Sequence, residues 1–164
     1  MSKILNDNRG LTLIELVVTM VILSILGSMM IPSMQLASRR SKEIELKRDL
    51  REIRTAIDSY KKYHDKAVQD GTIPNVINDD SGYPKTLKAL VEGEDFGGLS
   101  KTKMKFLRRI PMDPFHKVTG DDERWRMRSY EDDVDSSSWG GQDVFDVSSL
   151  SDETAIDGTK YKDW

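Results

Sequence analysis

Arg9-Gly10-Leu11-Thr12-Leu13-Ile14-Glu15-Leu16-Val17-Val18 decides how this chain folds. A short polar leader ends in Gly10, and an apolar run begins at once and continues to Ala37, broken by charge only at Glu15. Residues 11–37 are long enough to span about 30 Å of hydrocarbon as a helix. A carboxylate inside such a segment costs roughly 2.5–3.5 kcal/mol on insertion scales, so it marks function and calls for a partner. An ordinary secretory signal would place a small-residue cleavage site after the apolar core. Here Pro32 interrupts and Ser33–Ser38 leads into charged sequence, so the segment reads as retained.

Beyond the apolar run the helical pattern goes on. Leu46, Leu50, Ile53, Ile57 and Tyr60 recur at the three-and-four spacing of an amphipathic helix over residues 38–68. The opposite face is charged, and Glu43–Lys47, Arg48–Glu52, Arg54–Asp58 and Asp58–Lys62 are spaced for ion pairs along it. Pro32 removes one helical hydrogen bond and is expected to kink or loosen the helix. Residues 69–82 are rich in turn formers and read as a loop. Tyr83–Val91 reads as a short helix with Pro84 in its first turn. Alternation in Arg124–Tyr130 and Asp143–Val147 predicts two strands, with Trp125 and Met127 inward and the arginines facing water, paired with Glu131–Asp135.

Composition narrows the function. The 164 residues carry 25 basic against 28 acidic side chains, a formal net charge of −3, and no cysteine. Disulfides, thiolate metal sites and cysteine nucleophiles are excluded. The acidic balance argues against a nucleic-acid protein, and Arg124-Trp125-Arg126-Met127-Arg128 reads as a half-buried strand rather than a stacking platform for bases. Lys101, Lys103, Lys105, Arg108 and Arg109 read as a solvated or subunit-facing surface. His64 and His116 have no acid-and-nucleophile pattern around them, and no Walker loop, dinucleotide fingerprint or zinc spacing is present. The chain is therefore not read as an enzyme.

The N-terminal arrangement resembles the class III signal of type IV pilins and type II secretion pseudopilins. Gly10 matches the glycine before the cut, Leu11 the residue that becomes N-terminal and is methylated, Glu15 the glutamate of the motif, and Pro32 the mid-helix proline. Leucine stands where the family usually has phenylalanine. Later segments extend the resemblance to the major pseudopilin branch: Tyr83-Pro84, Leu107-Arg108-Arg109-Ile110-Pro111 followed by Asp113-Pro114-Phe115, and a serine-leucine loop running to Trp164. The loops at 69–81 and 131–141 are longer than the branch leads one to expect.

The resemblance implies an α+β pilin fold, a long N-terminal helix packed on a small antiparallel sheet. It implies a cleaved leader (residues 1–10), a transmembrane helix (11–37), its amphipathic continuation (38–68) and a periplasmic globular domain (69–164). The function implied is that of a structural filament subunit in type II secretion; the alternatives are a type IV pilin for adhesion, motility or DNA uptake, and a membrane-anchored binding module that never polymerises. Cleavage by the prepilin peptidase between Gly10 and Leu11 would leave an ammonium on Leu11, the partner Glu15 lacks. Arg39, Arg40 and Glu43 are candidates for charge pairing between subunits. Further implied partners are copies of the chain itself, minor pseudopilins, the inner-membrane assembly platform with its ATPase, and lipid; no nucleic acid is expected.

The implied location is the bacterial inner membrane, with the N-terminus cytoplasmic. Charge alone opposes that orientation, since Arg39, Arg40 and Lys42 follow the span while Lys3 and Arg9 precede it. Many major pseudopilins hold calcium in the C-terminal loop; Glu153 (or Asp152) and Asp157, with the Leu150 carbonyl, are the matching positions here. The family's glycine-rich spacing is absent, and Asp157-Gly158 also reads as a simple turn in a metal-free loop pinned by Tyr161 and Trp164.

Overall fold

The computed structural model describes residues 12–73, 81–97, 103–117, 124–134, 136 and 138–164, with side chains at 29–33 left out. The fold is α+β. A long helix, α1 (Leu13–Gln69), is followed by a short helix, α2 (Leu87–Glu92), two strands, β1 (Arg126–Arg128) and β2 (Asp146–Ser148), and a closing 3-10 turn at Tyr161–Asp163. The chain divides into two compact units, residues 1–40 and 41–164.

In the first unit the helix begins at a cap. The Leu16 amide donates to the Thr12 carbonyl at 3.1 Å, and the Glu15 amide donates to Thr12 Oγ1 at 3.3 Å. Thr12 thus occupies the N-cap and Glu15 the third helical position, the spacing of a capping box. Helical backbone continues through position 32, so no break appears at the proline. Among the described residues no helix is long and apolar enough to cross a membrane. The described side chains of the apolar run form two pieces, 12–28 and 34–37.

The second unit is built on residues 41–69 of α1. Leu46, Leu50, Ile53, Ile57 and Tyr60 are all buried, so the whole stripe read from the sequence faces the core. Leu87 and Leu90 of α2, Leu107, Ile110, Trp125, Val144, Val147 and Tyr161 close over it. The strands pair antiparallel, Met127 opposite Val147 and Arg128 opposite Asp146. Both are shorter than the alternation suggests: past β1 the next two amides turn to carboxylates, and ahead of β2 the Val144 amide goes to the Pro84 carbonyl. The Ser129 and Tyr130 amides go to the carboxylates of Asp132 and Asp143.

The short helix starts later than its proline suggests. Thr86, in extended backbone, sits at its N-cap. Pro84 lies ahead of the helix, where its carbonyl accepts the Val144 amide at 2.8 Å. The preference of proline for a first turn loses here to a tie between segments distant in sequence.

None of the four expected ion pairs along α1 forms among the described residues; Arg48 pairs with the adjacent Asp49, and two others are replaced over longer range. Arg54 turns from Asp58 to Asp146 on β2, with Nε–Oδ1 at 2.7 Å, and Glu43 turns from Lys47 to the C-terminal segment. In both cases a fixed partner in the core unit displaces a mobile one on the helix surface, where such pairs contribute only a few tenths of a kcal/mol. Arg128 likewise pairs with Asp146 at 3.1 Å rather than with Glu131–Asp135.

Candidate functional site

Gly10 and Leu11 lie outside the described residues. Glu15 stands in the first turn of α1, where the unsatisfied amides at the helix start favour a negative charge. The side chain of Pro32 lies outside the described residues. Arg40 is exposed, while Arg39 and Glu43 are half-buried.

Glu43 is committed within its own subunit. Its Oε1 accepts the Ile156 amide at 2.8 Å and the Tyr161 hydroxyl at 2.8 Å. The aromatic rings extend this clamp. Phe115 stacks on Tyr161 with centroids 4.0 Å apart, Trp164 meets Tyr161 edge-on at 5.1 Å, and the Lys47 ammonium lies 4.0 Å from the Trp164 ring centre. The indole nitrogen of Trp164 donates to Thr159 Oγ1 at 2.7 Å. Sequence reading linked Tyr161 and Trp164 to the loop but gave no sign of Glu43 as the receiving group, because nothing in the pattern of α1 separates it from its charged neighbours.

The loop proposed for calcium is a closed turn. The Ala155 amide donates to the Thr159 carbonyl and the Gly158 amide to the Ala155 carbonyl. Asp157 Oδ1 accepts the Thr159 amide at 2.9 Å and its hydroxyl at 2.6 Å, which hold its carboxyl below the ordinary carboxylate range. The Glu153 carbonyl accepts the Tyr161 amide at 3.1 Å, and Asp152 pairs with Lys162 at 3.1 Å. Leu150 is half-buried, and Glu153 and Asp157 are exposed. Among the described residues no group of three histidine, aspartate or glutamate side chains is placed to hold a metal ion. The Asp157 and Asp152 carboxylates are bonded within the chain, so a bound calcium would have to draw them from Thr159 and Lys162.

A buried centre absent from the sequence reading is Asp113, fully inaccessible. Its Oδ1 accepts the amides of Phe115 (2.8 Å) and His116 (3.2 Å), and its Oδ2 accepts the Ser149 hydroxyl at 2.6 Å. The Ser149 oxygen in turn accepts the Ser151 amide at 3.0 Å. One carboxylate therefore ties the Asp113-Pro114-Phe115 turn to the strand β2 exit. The Asp-Pro signal was visible in the sequence; its partner 36 residues away was not.

The site is defined by a capped, apolar helix start carrying one carboxylate, on an α+β chain whose second unit is locked by its own C-terminal segment. Residues 5–31 match the family model for the prokaryotic N-terminal methylation motif. That motif is the class III signal of type IV pilin-like proteins, which are processed by a prepilin peptidase and self-assemble into filaments. No curated protein and no solved structure matches the chain.

Proposed function

We propose that this chain is a structural subunit of a pseudopilus that grows from the inner membrane and drives protein export by type II secretion. The observation that carries the filament class is the methylation motif at residues 5–31, with Glu15 in the first turn of the apolar helix. Support for the secretion branch comes from the later motifs, whose residues form the core ties: Pro84 to Val144 and Asp113 to Ser149.

The mechanism follows from charge. Cleavage after Gly10 puts an ammonium on Leu11, immediately before the Thr12 cap. A glutamate at the third helical position of a capping box reaches back towards the cap, so Glu15 lies on the side where that ammonium appears. Moving the apolar helix from lipid into a bundle of like helices costs little. Leaving Glu15 unpaired there would cost several kcal/mol. Pairing of Glu15 with a Leu11 ammonium, its own or a neighbour's, therefore sets the register of each added subunit. Arg39, Arg40 and Glu43 remain candidates for pairing between neighbours, and residues 11–37 for the membrane-spanning segment with the leader on the cytoplasmic side.

Intact mass of the chain from membranes of cells holding the native peptidase tests this reading. A species lacking residues 1–10 and heavier by one methyl group is expected. A full-length, unmodified mass would remove the ammonium and favour the anchored module instead. Long surface pili in electron micrographs would favour the type IV pilus.

A further inference from the structure

The C-terminal segment is fastened to α1 at two levels, both times by protein groups. Near the start of the second unit, Glu43 Oε1 receives the Ile156 amide and the Tyr161 hydroxyl, each at 2.8 Å. Further along the helix, Arg54 Nη2 donates to the Trp164 carbonyl at 2.9 Å, and between the two the Lys47 ammonium lies over the Trp164 ring. The anchor is Tyr161, fully buried and stacked on Phe115. A phenol buried this deeply needs an acceptor, because leaving its hydroxyl unsatisfied costs the full desolvation penalty. Glu43 is that acceptor.

The polar groups of the loop find their partners in the chain as well. Asp157 Oδ1 takes the amide and the hydroxyl of Thr159, Asp152 takes the Lys162 ammonium at 3.1 Å, and the Glu153 carbonyl takes the Tyr161 amide at 3.1 Å. The backbone closes the turn between them, from the Ala155 amide to the Thr159 carbonyl at 2.7 Å, with Gly158 at φ 90° as its left-handed residue. A calcium ion takes about six to eight oxygens. Gathering them here would release Asp157 from Thr159, Asp152 from Lys162 and the Glu153 carbonyl from the amide of the anchor itself. A loop shaped by an ion keeps its carboxylates converging on one point, whereas these are each turned to a separate partner.

We propose that Glu43 holds the C-terminal segment on α1 in the role that calcium has in the pseudopilins that bind it, and that the segment stays docked with no divalent cation. This lock goes beyond the filament reading and does not depend on it.

The full chain, extracted from membranes in detergent, is followed by melting and by amide exchange, once in excess EGTA and once in millimolar calcium. The same melting temperature and the same exchange at Ile156 and Tyr161 are expected in both. Glu43→Ala should exchange about tenfold faster at Ile156, with no recovery on adding calcium. Glu43→Gln, which keeps an acceptor oxygen, should recover most of the protection. Terbium, a luminescent stand-in for calcium excited through the tryptophans, should give no saturable signal. Melting that falls in EGTA and returns with calcium but not with magnesium would overturn the lock. So would a saturable terbium signal that Asp157→Asn abolishes, or exchange at Ile156 that Glu43→Ala leaves unchanged. Each of these leaves the filament reading in place, which the intact mass decides separately.

Discussion

Arg54, in the middle of α1, bonds Asp146 on β2 with Nε–Oδ1 at 2.7 Å. Its Nη2 meanwhile donates to the carbonyls of Val147 and Trp164, each at 2.9 Å. One guanidinium thus joins the helix to the sheet and to the C-terminal segment. The planar fork of arginine makes this possible, and lysine cannot reproduce it. Asp146 also receives Arg128 Nη2 at 3.1 Å, so its carboxylate is shared between two cations.

Removing this side chain should loosen both attachments at once. The pair is partly exposed, which limits its Coulombic share to under about 1 kcal/mol. The two carbonyls add about 1 kcal/mol each as hydrogen-bond acceptors. Arg54→Ala is expected to cost about 2 kcal/mol in denaturant unfolding, and Arg54→Lys nearly as much. A Lys variant as stable as the parent would show that the charge alone matters.

Asp113 is a harsher case. Truncating it leaves two amides and the Ser149 hydroxyl without an acceptor in a site with no water access. Unsatisfied buried groups cost about 1–3 kcal/mol each at the upper end, so Asp113→Ala should lose about 3 kcal/mol or fail to fold. Ser149→Ala removes only one donor and should cost about 1 kcal/mol. Equal effects of the two substitutions on the melting temperature would contradict the arrangement.

How much of this was legible beforehand divides by range. The buried stripe of α1 follows from periodicity alone, because burial of one helix face is a local pattern. The antiparallel strand pair was also legible, though its ends were not. Asp132 and Asp143 capture amides that would otherwise extend β1, and a side chain that outcompetes a strand leaves no trace in alternation. The partners of Arg54, Glu43 and Asp113 lie 92, 113 and 36 residues away. Charge spacing along a helix favours nearer choices for the first two and offers none for the third. At the candidate site, Glu15 stood out as a charge in an apolar run, while the Thr12 cap beneath it went unread.

Glu43 should govern the C-terminal clamp without governing the rest of the core. Glu43→Ala frees the Ile156 amide and the Tyr161 hydroxyl, leaving Phe115 and Trp164 to hold the ring between them. Amide exchange at Ile156 and along 154–160 is expected to accelerate about tenfold, equivalent to about 1.4 kcal/mol of local opening. Exchange at Val147 should stay near the parent rate. Uniform acceleration across the sheet would mean that Glu43 stabilises the whole unit instead of its last segment.

Acid response should separate two kinds of carboxyl. Desolvation raises Asp49 above the ordinary carboxylate value, against the pull of the Arg48 hydrogen bond. The folded state therefore holds that proton more tightly than the unfolded chain. Asp49 weighs against folding once the pH exceeds its raised value, and the penalty fades as the pH falls towards the ordinary value. Asp132 is lowered by the Ser129 and Gly140 amides, Asp152 by Lys162 and Asp157 by Thr159. Their contributions are present above the ordinary value and disappear as the pH falls through their depressed ones. Asp49→Asn should raise the melting temperature at neutral pH and lose that advantage on mild acidification. Asp157→Asn should lower it at neutral pH and flatten the loss at strong acid. An Asp49→Asn gain that persists unchanged across the acid range would remove burial as its cause.

Substitution can pull the helix-start position of Glu15 apart from the pairing role proposed for it. In the capping box its amide is held by Thr12 Oγ1 at 3.3 Å, and its charge favours the helix start. Thr12→Val removes the cap and should cost about 1 kcal/mol of helix-start stability while leaving the carboxylate in place. Glu15→Gln keeps the shape and the hydrogen-bonding reach but has no charge to meet an ammonium. If register in the filament is set by that charge, Glu15→Gln should be cleaved after Gly10 and methylated as usual, yet yield few or no sheared filaments. Thr12→Val should assemble at a reduced rate. A bulky substitution at Gly10 should instead stop at the uncleaved chain, so processing and assembly fail separately. Normal filament yield from Glu15→Gln, with the mature mass confirmed, would leave the carboxylate only its part in starting the helix.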